Sequence, residues 1–292
     1  MTFRPVYAVL TLVAVTLLTT GCGDPVPDDY TPQVSIEAIL TVDEPITNIR
    51  LYRSVALTDS FSYRNATIRS AELTITASDG TTHVLEFVED STGGYYRSPD
   101  TAYRITPQVK YDLVARAEGS TLTSTTTAPP RIEWTKTVGD TVFYPGRDKE
   151  LDPSISDPYK VFWTRPEGYS EYMIAMTCLD TLNYGTFLTP PTDEKNNRIR
   201  DSEFDDDTPL GKERTRAAYT VSTGVFSWSA FKWFGQHELT VYCGDRNFIN
   251  WFKQVTFTRQ YNTNLSSVVG GLGTFSSVSK VSKVFFLKKN AP

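Results

Sequence analysis

Histidine and cysteine are scarce in these 292 residues, with two of the first and three of the second. Two histidines leave little room for a histidine-ligated metal or a Ser-His-Asp triad. Three cysteines cannot build a disulfide framework. An excess of positive charge is also lacking: 29 Lys and Arg face 34 Asp and Glu, a formal net charge of −5. Nucleic acid is thereby excluded as a partner, because its phosphates demand a basic face. No apolar run reaches the roughly 18 residues that a membrane-crossing helix needs. What is present, 22% charged and 39% hydrophobic residues, is ordinary globular composition over a length that suits one or two domains.

The N-terminus reads as an address. Arg4 is the sole charge before Asp24, and Val6 to Leu18 is apolar apart from two threonines. This run is too short for a transmembrane helix and fits the core of a secretory signal peptide. The following Leu18-Thr19-Thr20-Gly21-Cys22 resembles the bacterial lipoprotein signal, in which the cysteine is acylated and becomes the mature N-terminus. Residues 1–21 are thus expected to be a lipoprotein signal peptide, with covalent lipid on Cys22. Residues 22–32, rich in proline and acid, read as an extended spacer. Its acidic residues resemble the surface-export signals of Bacteroidota lipoproteins, which implies an outer-membrane lipoprotein at the cell surface rather than on the periplasmic face.

Threonine is abundant, 40 residues, and it clusters with Val, Ile, Tyr and Phe in short alternating runs, as strands do. Such runs include Val34–Leu40, Ile49–Arg53, Ala71–Ile75, Val84–Val88 and Tyr111–Ala117, with turn signals at Ser78-Asp79-Gly80 and Gly93-Gly94. A small, polar stretch from Thr121 to Pro130 reads as a domain boundary. The expectation is an all-β chain of two immunoglobulin- or fibronectin-like β-sandwich domains, 33–130 and 131–292. The second would carry one short helix, capped by Asp245, with Phe248, Trp251, Phe252 and Val255 on one face.

In their order, Ala71-x-Leu73-x-Ile75, Gly94-Tyr95, Tyr111-x-Leu113-x-Ala115 and Pro129-Pro130 resemble the family of Bacteroidota lipoproteins called domain of unknown function 4249. Phe231-Lys232-Trp233-Phe234-Gly235, Asp245-x-Asn247-Phe248 and Gly270-Gly271-Leu272-Gly273-Thr274-Phe275 extend the likeness over the second half. Ser276-Ser277 departs from the family's usual glycine or serine-alanine pair. The resemblance implies a two-part β-rich envelope lipoprotein that accompanies TonB-dependent receptors, and it transfers no catalytic residue.

Chemistry-bearing residues are few. Cys178 and Cys243 lie in phase with apolar strand neighbours, as a disulfide across a core or as two buried thiols; no histidine adjoins either in sequence. Asp201, Glu203, Asp205 and Asp207 recur at spacing two, as in loops that wrap calcium. Asp206 and Lys212 at the sixth and twelfth positions exclude an EF-hand, leaving a non-standard calcium site or a solvated acidic loop. Aromatics crowd Phe226 to Phe234; most suit a core, with Trp228 and Trp233 expected at the surface as ligand contacts. His83 and His237 read as surface or edge residues. Serines are frequent but none sits in Gly-x-Ser-x-Gly, and Gly270 to Gly273 lacks the Lys-Ser/Thr of a phosphate loop.

The expected function is non-enzymatic and without cofactor: an outer-membrane lipoprotein that assists a TonB-dependent receptor by ligand capture or docking. The alternatives are a structural or adhesion module of the envelope and a hydrolase built on paired carboxylates.

Overall fold

The computed structural model describes residues 30–56, 59–156, 159–196, 198–199, 213–220, 228, 231–257 and 266–289, without the side chains of 153, 155, 213–220 and 255–257. The chain divides into two compact units, Met1–Pro32 and Gln33–Pro292. The expected signal peptide and Cys22 lie outside the described residues, as do Asp201, Glu203, Asp205, Asp207 and the Val255 side chain. Among the described residues no helix is long and apolar enough to cross a membrane.

The body is all-β, as the alternating runs predict. In chain order the strands are β1 Val34–Thr41, β2 Arg50–Arg53, β3 Glu72–Ala77, β4 Thr82–Val84, β5 Glu86–Val88, β6 Tyr95–Arg97, β7 Lys110–Ala117 and β8 Ser120–Thr127. They continue with β9 Trp134–Lys136, β10 Thr141–Phe143, β11 Phe162–Trp163, β12 Tyr172–Cys178, β13 Glu213–Thr220, β14 Gly235–Gly244 and β15 Leu272–Lys288. A mixed sheet has the order β13-β12-β14-β15-β1-β2, with β10 added beside β15; a second runs β4-β3-β7-β8; β5 pairs with β6 and β9 with β11.

One face of the mixed sheet carries two cores. At the β1 end, Ile36, Ala38 and Leu40 pack with Leu51 and Phe275 against Leu73, Ile75, Leu113 and Ala115 of the second sheet. That is sheet-on-sheet packing of a sandwich. At the other end Tyr172, Met176, Leu239, Val241 and Phe285 meet Trp163, Trp228 and Phe231. The opposite face is covered in part by α1, Arg246–Phe257, whose Phe248, Ile249 and Phe252 lie on Met173 and Val278. Asp245 caps this helix, its Oδ1 accepting the Phe248 N–H at 2.8 Å.

The two halves are not separated by a linker. Thr121 to Thr127, read as a boundary from its small polar residues, is most of β8, and one compact unit spans Gln33–Pro292. Period-two alternation turns Leu122, Ser124 and Thr126 inward, and their inward hydroxyls find partners: Thr126 Oγ1 donates to Asp245 Oδ2 at 2.6 Å. The single strand β15 serves both halves. Its Leu272 to Val278 runs parallel to Ser35–Thr41 of β1, and its Val278 to Leu287 runs antiparallel to β14. Gly273 has φ +109°, and a Cβ there would run into the Ile36 carbonyl of β1. Gly273→Ala is therefore expected to destabilise the fold by about 3 kcal/mol or more, read as a lowered urea midpoint.

Candidate functional site

The structure moves the candidate aromatics. Trp228 and Trp233 are 1% and 4% exposed, not ligand contacts at the surface. Neither belongs to a regular strand, so no alternation sets which way its ring faces. Trp228 packs edge-on to Tyr144 and Tyr159, and Trp233 lies under the Arg198 guanidinium at 4.8 Å.

His83 and His237 are corrected in the same sense, since both are buried. His83 sits against the Tyr103 ring at 4.1 Å. His237, 0% exposed, stacks on Phe285 and meets Phe231 edge-on, its Nδ1 2.9 Å from the Gly235 carbonyl. In register it stands opposite Cys178, a neighbour that sequence distance hides. A cysteine-histidine pair of this kind has no route to substrate, because both residues are fully buried. Cys178 and Cys243 are free thiols. Cys243 is opposite Tyr172, six residues from Cys178 along β12, so the two are about 20 Å apart at about 3.3 Å per residue. No disulfide can span that distance. Burial pushes the Cys243 thiol up to about 12, against a hydrogen bond with Ser279, which keeps it unreactive.

The side chains that do meet solvent together lie on the outer face of β1 and β2. Alternation turns Ile36 and Leu51 into the core, so Glu37 and Ile39 of β1 and Arg50 and Tyr52 of β2 face out, with Glu37 directly opposite Arg50. A helical turn, Tyr63–Ala66, is anchored by the buried Ala66 and brings Tyr63 over this face. The Tyr63 ring is 5.5 Å from Tyr52 at 61° and 4.9 Å from Phe61 at 82°. Phe61 and Tyr63 are 52% and 58% exposed, unusual for large apolar rings clustered together. Between these walls, Asn48 and Thr92 complete a cavity of about 330 Å³.

Arg50 is the fixed point of the groove. Its Nε donates to Asn48 Oδ1 at 3.1 Å, Nη1 to Thr92 Oγ1 at 2.8 Å and to the Gly94 carbonyl at 3.2 Å, and Nη2 to Asp90 Oδ2 at 2.9 Å. Its plane also lies over Tyr95, 5.7 Å from the ring centre. The hydroxyl of Thr92, with help from Arg50 and the Thr92 amide, holds the Asp90 carboxyl down to about 2. Glu37 behaves oppositely. Although its side chain has an open side, the protein packed around its carboxyl raises the pKa, and Arg50 only partly offsets this. Burial likewise raises the pKa of Tyr52, with Arg50 opposing.

A second concavity, about 380 Å³, lies where Thr125 to Thr127 and Gly168-Tyr169 border the start of α1. Its polar groups are engaged in holding the fold. The Asn247 side chain bridges two strands there, its Nδ2 donating to the Thr125 and Phe275 carbonyls, both at 2.9 Å, while Asp245 caps the helix. Among the described residues no group of three His, Cys, Asp or Glu is arranged to hold a metal ion.

Two consequences can be measured. Burial drives the His237 pKa down to about 4 from its ordinary 6.5, against the pull of the Gly235 carbonyl. Between these values the unfolded chain binds the extra proton, so stability falls as pH drops through that window, by about 3 kcal/mol for this group. Denaturant titrations from pH 7 to pH 4 are expected to show a shallower loss for His237→Gln than for the parent. Alkylation followed by peptide mass spectrometry is expected to modify Cys178 and Cys243 only after unfolding, and without prior reduction.

Among curated proteins none matches the chain. Among solved structures it is similar to the FN1-FN3 domains of chicken CNTN1, at 12% identity and a TM-score of 0.19, with 89% of this chain and 67% of that chain covered. A family model described as Domain of unknown function (DUF4249) matches residues 24–268, most of the 292, and the chain belongs to that family.

Proposed function

We propose that this protein is a non-enzymatic lipoprotein of the cell envelope, tethered to the outer membrane by lipid on Cys22, that captures a ligand at the cell surface and assists a TonB-dependent receptor. The anchor is supported by the apolar run ending at Leu18-Thr19-Thr20-Gly21-Cys22 and by the spacer after it. Ligand capture is carried by one observation: the exposed Tyr63, backed by the exposed Phe61 ring, lines a groove whose polar groups are already oriented. Exposed aromatics beside a preorganised polar centre lower the ordering cost of binding. Binding rather than turnover suits the groove's chemistry. Its guanidinium is spent on protein acceptors, Asp90 is committed to Arg50, and Glu37 is the one carboxylate left over in the lining. A hydrolase of the paired-carboxylate kind would need a second.

Cell fractionation and surface proteolysis test this directly. Cys22→Ser is expected to move the protein out of the outer-membrane fraction and abolish labelling by fatty acid. On intact cells, added protease is expected to remove the body of the parent protein. Pull-down from detergent-solubilised outer membrane is expected to recover a receptor. Protection from protease, with no receptor recovered, would overturn the proposal.

A further inference from the structure

We propose that the groove between β1, β2 and the Tyr63 turn recognises a ligand through an ammonium group, primary or quaternary. The inference rests on the ligand-capture function and adds the chemical class. Three features carry it. First, the rings do not form a flat platform: Tyr52 and Phe61 each meet Tyr63 edge-on, at 61° and 82°. Tyr52 and Tyr63 line the cavity at a steep mutual angle, which turns π-faces to a compact cation from two sides, whereas a sugar face packs on one flat exposed ring. Second, Glu37 makes no hydrogen bond or ion pair among the described residues, although it lines the same cavity. Its cross-strand neighbour Arg50 is spent on Asn48, Asp90, Thr92 and the Gly94 carbonyl. Third, the charges of Arg50 and Asp90 cancel as a 2.9 Å pair, so the groove keeps the one negative charge of Glu37. A cation entering the cavity would supply the partner this carboxylate lacks and would favour its ionised form against the burial that raises its pKa.

The rest of the ligand would lie along Ile39. An aminated sugar and a choline-type head group share this ammonium chemistry, and a pair of probes separates them.

Titration calorimetry on the full chain, in detergent, with glucosamine, choline, glucose and N-acetylglucosamine is the test. Binding is expected for glucosamine, for choline or for both, with glucose and N-acetylglucosamine at least about tenfold weaker. Glu37→Gln and Tyr63→Ala are each expected to weaken the aminated probe by about tenfold. Both residues face outward, so thermal melts of the variants should match the parent and separate lost binding from lost fold. If the neutral sugars bind as well as the aminated probes, or if Glu37→Gln changes nothing, the ammonium assignment fails while ligand capture stands. If none of the four probes binds, and broad glycan and peptide panels are also silent, ligand capture in the groove fails with it.

Discussion

The parallel pairing of β1 with the first seven residues of β15 is the constraint on which the rest of the structure depends. It ties Ser35–Thr41 to Leu272–Val278, across nearly the whole chain. A contact of that sequence separation carries a large loop-closure cost, which local packing must offset. The offset comes from both faces of the sheet. Ile36, Ala38, Leu40 and Phe275 enter the sandwich core, and Ile39 and Val278 meet the α1 cluster behind it. Because β15 continues for nine more positions beside β14, the same strand also organises the aromatic core of the second half. The halves share a backbone ladder, and neither completes the mixed sheet without the other.

The middle of β15 shows how that sharing is arranged chemically. Ser276, Ser277 and Ser279 are buried where bulky residues would ordinarily stand in a strand between two cores. Ser277 Oγ donates to the Thr127 carbonyl at 2.9 Å, and Ser279 Oγ to the Pro130 carbonyl at 2.7 Å, where the chain passes from one half to the other. Asp245 joins the same cluster, receiving the Thr126 hydroxyl while its own N–H donates to the Ser277 carbonyl at 2.9 Å. Small side chains admit the crossing backbone, and the Ser277 and Ser279 hydroxyls satisfy polar groups that burial would otherwise leave unpaired. Burial raises the pKa of Asp245 even so, which marks the cluster as well shielded from water.

The groove is a by-product of the same sheet. Alternation in β1 and β2 commits one face to the sandwich and leaves the other to solvent, and α1 covers only part of it. Glu37 and Arg50 are each legible as outward strand residues from period two alone. Their meeting depends on the register of β1 with β2, and the loop that supplies Asp90 and Thr92 lies about forty residues further along the chain. Tyr63 and Phe61 sit in a short polar stretch without periodicity, where sequence patterns say nothing about orientation. Trp228 and Trp233 mislead for a related reason: they belong to no regular strand, so no period sets which way their rings face.

Sequence alone determined the class of this protein. Strand-length alternation, β-branched composition, turn glycines and the Asp245 cap are local properties, and local physics suffices to make a β-rich body with one amphipathic helix. The lipoprotein-like N-terminus and the ordered family motifs are local in the same sense. Tertiary structure decided what sequence distance conceals. It set Cys178 beside His237 and far from Cys243, made β8 of a threonine-rich stretch that reads as a domain boundary, and buried both histidines. It also brought Glu37, Tyr52 and Tyr63 to one groove from three separate segments. Each of these outcomes follows from strand register and sheet order, which are fixed by packing over the whole chain and leave no periodic trace in any one part of it.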